Sequence, residues 1–87
     1  MRITSTRLTA RVLLTGVAED NGWTWHWTRG PTGGSTLYTR GKVSIGVEWT
    51  PKGGVSGGRR MIRGRIKEGL PSTKKRERVE EWLTKKK

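Results

Sequence analysis

The sequence predicts a small α+β domain, a three-stranded antiparallel meander followed by a helix, and three observations carry that prediction. Residues 23–28, WTWHWT, alternate strictly between large apolar and polar side chains, the period of a half-buried strand. Val43, Ile45, Val47 and Trp49 repeat the alternation in a run that stops at Pro51. Ile62, Ile66 and Leu70 then recur at i, i+4 and i+8, the stripe of one helical face.

Residues 4–21, TSTRLTARVLLTGVAEDN, admit two readings. Ala10, Leu13, Leu14 and Val17 have the spacing of a helical face, with Ser5 as N-cap and Gly22 as C-terminal cap. The segment is also rich in Thr and Val and ends in Asn21-Gly22, a strong hairpin signal, so a strand competes. In the tryptophan strand Trp23, Trp25 and Trp27 share one face, and Thr24, His26 and Thr28 the other. RGPTGG at 29–34 is a turn, and residues 35–40 resume a strand with Leu37 inward and Tyr38 outward. Gly41-Lys42 turns the chain into the third strand.

PKGGVSGG at 51–58 holds four glycines and reads as a flexible loop. The helix expected over roughly 58–68 takes Ser56 as N-cap and Gly69 as its αL cap, with Gly64 costing up to about 1 kcal/mol in its interior. From Ser72, Val79, Trp82 and Leu83 at i, i+3 and i+4 predict a short C-terminal helix, and Lys85–Lys87 a solvated tail.

Eighty-seven residues suffice for one thin-cored domain, taken as 1–70, with a basic C-terminal helix and tail at 71–87. Leu, Ile and Val number 16 and Phe is absent, which with a net charge of +12 lies on the disordered side of the compositional line. Five tryptophans, each able to bury about 150–250 Å², restore enough apolar area for a marginal fold. Nineteen Lys and Arg against seven Asp and Glu create a field that attracts phosphate backbones, acidic protein surfaces or anionic lipid. No apolar run approaches the roughly 20 residues of a bilayer span and no signal-peptide block opens the chain, so no membrane partner is expected and the cytoplasm is the expected compartment. With no Cys and one His, neither disulfides nor a metal cluster is expected, and no cofactor is implied. The glycine-rich loops match neither GxxxxGK[ST] nor GxGxxG, which argues against nucleotide hydrolysis.

Arg59, Arg60 and Arg63 fall in the first turn of the expected second helix, where unpaired N–H groups and the dipole favour anions. A phosphate site there is the leading expectation, extended by Lys52, Lys67, Lys74 and Lys75; a solvated helix face is the alternative. His26 is the candidate general base for metal-free RNA cleavage, with Tyr38 and Arg40 beside it on the open face. It has no neighbouring acid or second His, so an ordinary strand residue is the stronger reading. The tryptophan comb is a base-stacking platform or, more strongly, the core that the sheet otherwise lacks. Exposure of Trp82 beside Val79 and Leu83 would mark a protein partner.

The order of Asn21-Gly22-Trp23, two strands, Ile45-Gly46-Val47 with Thr50-Pro51, a glycine-rich loop and a segment closing on Glu68-Gly69-Leu70 resembles the HicA-type toxins of bacterial toxin–antitoxin pairs. The likeness spans about residues 8–70. It implies a double-stranded-RNA-binding-domain architecture, α-β-β-β-α, with a helical first segment and both helices on the tryptophan face. The second helix would then straddle duplex phosphates, read by shape. In that family the catalytic histidine follows a Gly-Ser step; here Gly33-Gly34-Ser35 is followed by Thr36. In that family the histidine serves RNA cleavage; with it missing, the basic charge and the implied architecture together lead to the expectation of a non-catalytic binder of duplex RNA or DNA. The alternatives are an active ribonuclease using His26 or Thr36, and a phage-type protein docking on an acidic host protein. An antitoxin-like protein is the partner that the family adds.

Overall fold

Thr9 opens the first element: its hydroxyl accepts a hydrogen bond from Val12 N at 3.2 Å, capping helix α1 (Ala10–Asp20) in a computed structural model that describes residues 9–85. Ser5, the expected cap, lies outside the described residues. The chain continues through β1 (Thr24–Thr28), β2 (Ser35–Arg40), β3 (Val43–Trp49), β4 (Val55–Ile62), β5 (Arg65–Gly69) and helix α2 (Lys75–Thr84). The five strands pair in sequence order into one antiparallel sheet.

A three-stranded sheet closed by a second helix at 58–68 is therefore overturned, because that segment is the β4–β5 hairpin. Arg63 and Gly64 form its two-residue turn with φ of 53° and 81°, and positive φ at both positions suits a tight hairpin and is foreign to a helix. The stripe Ile62, Ile66, Leu70 misleads because a spacing of four is compatible with a period of 2 as well as 3.6. The turn and a register shift between Arg60 and Met61 then place Ile66 opposite Met61, 64% exposed, rather than in the core. Residues 55–58, expected in the flexible loop, are likewise part of β4. Gly58 lies so close to β3 that an added Cβ would sit 2.7 Å from the Gly46 carbonyl oxygen. Its missing side chain serves sheet packing.

Both helices cover one face of the sheet. Leu14 and Ala18 of α1, Val79, Trp82 and Leu83 of α2, and Trp23, Tyr38, Ile45, Val47 and Trp49 of the sheet side form one buried core. The C-terminal apolar patch is thus covered, with the Trp23 indole donating to Leu83 O at 2.9 Å. Strand β2 presents the opposite faces to those expected. Trp25 pairs with Tyr38 and His26 with Leu37, so Tyr38 is buried and Leu37 is 45% exposed on the uncovered face. The tyrosine's polar tip is satisfied there by Thr15 Oγ1 at 2.9 Å, which makes its burial affordable. No described helix is long and apolar enough to cross a membrane.

Candidate phosphate-binding cleft

An antiparallel meander returns alternate connections to the same end of the sheet. Here the β1–β2 connection (29–34) and the β3–β4 connection (50–54) meet the first turn of α1, which is tied to them by Arg11 N donating to Gly53 O at 2.9 Å. The 50–54 loop is held by its own hydrogen bonds, from Thr50 N to Gly54 O at 2.7 Å and from Gly54 N to Thr50 Oγ1 at 2.9 Å. Gly53 adopts φ +86°, and a Cβ there would lie 2.6 Å from that of Thr9. Glycine alone lets this loop close against the helix.

These segments border an open cleft of about 380 Å³ lined by Trp27, Arg11, Arg29, Lys52 and the backbone of Gly30, Gly33 and Gly53. The Arg11 guanidinium lies 4.2 Å from the Trp27 ring centroid and that of Arg29 5.6 Å. Such cation–π contacts steady a guanidinium without spending its N–H donors. Neither arginine makes an ion pair among the described residues, and no carboxylate lines the cleft. Three cations without a counter-charge make a site for an anion with several oxygens. Two amides of the first turn are already engaged, Arg11 N by Gly53 O and Val12 N by Thr9 Oγ1. The groups left free to meet an anion are therefore side chains.

The arginine cluster expected at 59–63 is dispersed. Arg59 is exposed on the uncovered face, and Arg63 is exposed in the hairpin turn. Arg60 faces the helix side and is paired with Glu68 at 2.9 Å, a carboxylate that also lies 3.7 Å from Arg78. Strand alternation splits the pair that a helical turn would have joined, so no helix-terminus phosphate site exists there. Lys67 is exposed on β5, Lys74 stands at φ 56° before α2 without a side-chain cap bond, and Lys75 Nζ donates to Ser56 O at 3.0 Å. Of the expected binding residues only Lys52 lines the cleft. Arg11 and Arg29 escaped the sequence reading, although the chain carries Arg29, Arg40 and Lys42 and no acid between Asp20 and Glu48.

The catalytic candidates are not brought together. His26 is exposed on the uncovered face, whereas Thr36 and Tyr38 are buried on the helix side. The Thr36 hydroxyl accepts from the Trp49 indole at 2.9 Å. Burial raises the Tyr38 pKa above 10.0, against the opposing pull of hydrogen bonds to Thr15 and Thr36 and of the Arg11 charge. Arg40 also lies on the helix side, 4.4 Å from the Trp23 centroid, donating to the carbonyls of Asn21 and Lys85. Of the tryptophan comb, Trp23 is core, Trp27 floors the cleft, and Trp25 is half-exposed with its indole donating to Glu19 Oε2 at 2.9 Å. Among the described residues no three His, Cys, Asp or Glu gather as metal ligands.

Comparison of the chain with protein-family models, curated proteins and solved structures finds no match in any of the three. The likeness to HicA-type toxins is one of short motifs, and the helix on which it drew most is the β4–β5 hairpin.

Proposed function

We propose that the protein binds nucleic acid by its phosphate backbone, as a non-catalytic contact to duplex RNA or DNA entering at the cleft end of the sheet. The observation that carries this reading is the group of Arg11, Arg29 and Lys52 around Trp27, with no carboxylate of the described residues beside them. The opposite end of the sheet supports it. There Lys42 and Arg63 lie in adjoining turns, joined by Arg63 N donating to Lys42 O at 2.9 Å, and both side chains are exposed. Strands of this length separate the two ends by about 20 Å, a span that a stiff duplex meets without being ordered on binding.

Three to five neutralised phosphates, the range that the cations of the two ends can meet, give a log–log salt slope between about −2.7 and −4.5 for a duplex, so affinity should fall about 40- to 500-fold between about 50 and 200 mM salt. Filter binding of one duplex across that range is the test. A flat response refutes the proposal. The ribonuclease alternative loses support from the separation of His26 from Thr36 and Tyr38, and intact RNA after long incubation is the expected result.

A further inference from the structure

From the same cleft we infer a specific subsite for a phosphate monoester, the terminal phosphate of a nucleic-acid strand, rather than an internal phosphodiester. The inference rests on the polynucleotide reading above and adds the ligand group that the cleft selects.

Charge is the first reason. An internal diester carries one negative charge, whereas a monoester near neutral pH carries close to two, because its second proton leaves at a pKa of about 6. Arg11, Arg29 and Lys52 converge on the cleft without a carboxylate, an excess of charge that one diester leaves unmatched. Donor geometry is the second. Two guanidinium forks are steadied by the Trp27 ring, at 4.2 and 5.6 Å from its centroid, and each offers in-plane N–H donors to a pair of oxygens. A monoester presents three non-bridging oxygens, and a diester two. Access is the third. Segments from three parts of the chain line the site, the α1 first turn and the loops 29–33 and 50–53. A strand end enters such a cleft from one side, while an internal phosphate must bring a sugar along each flank. Arg11 lies over the Trp27 ring, so the ring orders a cation of the site.

The chemistry has two sources, a strand end and a free nucleotide, and the experiment separates them. The full-length chain is titrated with one short blunt duplex bearing either 5′-phosphate or 5′-hydroxyl ends, and with adenosine monophosphate, by fluorescence anisotropy and tryptophan emission. The phosphorylated duplex should bind about tenfold tighter than the hydroxyl form, and the preference should shrink but not vanish near pH 5, where the monoester regains one proton and keeps one charge. Arg29→Gln and Lys52→Gln, both at exposed positions, should each erase most of the preference while the protein stays folded, with Lys52→Gln melting at the parent temperature and Arg29→Gln within about 8 °C of it.

Equal affinity for the two duplexes, with steep salt dependence, overturns the monoester subsite and leaves the backbone reading in place. Saturable binding of adenosine monophosphate with no binding of either duplex supports the monoester chemistry but makes a free nucleotide its source, and removes the polynucleotide reading. Failure of all three ligands to bind overturns both.

Discussion

Replacing Gly64 by Ala distinguishes the β4–β5 hairpin from a helix by the sign of its effect. In a helix interior the change removes a flexible residue and stabilises by about 1 kcal/mol. In the observed turn Gly64 holds φ +81°, and a methyl group added there meets no atom within 4 Å. The cost is then backbone strain alone, about 1–2 kcal/mol for an L-residue held in the left-handed region. For a domain of this size each kcal/mol moves Tm by roughly 4–8 °C, so Gly64→Ala should melt about 4–16 °C below the parent. Arg63, at φ 53°, bears the same strain already. Arg63→Asn should move the other way, by about 0.5–1 kcal/mol, because asparagine tolerates this region better. Thermal melts followed by circular dichroism check both. A Gly64→Ala protein that melts at or above the parent temperature refutes the hairpin and with it the dispersal of the arginine cluster.

Other consequences follow from the packing. Arg40→Met removes the hydrogen bonds to the Asn21 and Lys85 carbonyls and the contact with Trp23, and should destabilise by about 2 kcal/mol, with faster amide exchange at the end of α2. Because burial raises the Tyr38 pKa, the neutral phenol contributes stability that is complete below the unfolded pKa near 10 and is lost as pH rises through the folded value. Alkaline titration of stability should therefore show a fall above pH 10 that Tyr38→Phe reduces, at a cost of about 1 kcal/mol at neutral pH for the lost Thr15 bond. His26→Ala, on the uncovered face away from the cleft, should leave nucleic-acid affinity and salt slope unchanged in the same filter-binding assay; a loss of more than about tenfold would move the binding surface to that face.

The parts of the fold legible in the sequence are those in which one period is unambiguous. WTWHWT alternates at every residue, Val43–Trp49 alternates with β-branched side chains, and Val79, Trp82 and Leu83 fit only a helix, so these elements stand where their spacing places them. The hairpin at 55–69 was not legible, because Ile62, Ile66 and Leu70 satisfy both periods and the turn between the strands begins with an arginine, which carries no turn signal. The faces of β2 depend on how a six-residue connection sets the pairing of Trp25 with Tyr38, and no local pattern encodes that register. The cleft was least visible of all. Arg11, Arg29 and Lys52 lie far apart in the chain and become neighbours only when the meander and α1 close on Gly53.

The central claim, that polynucleotide phosphates enter at the Trp27 end of the sheet, is tested most directly by indole N–H resonances in a 15N-labelled sample titrated with duplex. The five tryptophans are placed differently: Trp27 floors the cleft, Trp25 is half-exposed beside Glu19, and Trp23, Trp49 and Trp82 are buried. The Trp27 signal should shift saturably with the backbone amides of 29–33 and 50–53, while those of Trp23, Trp49 and Trp82 hold still. Shifts confined to His26, Leu37 and Arg59 on the uncovered face, with Trp27 unmoved at saturation, would contradict the account.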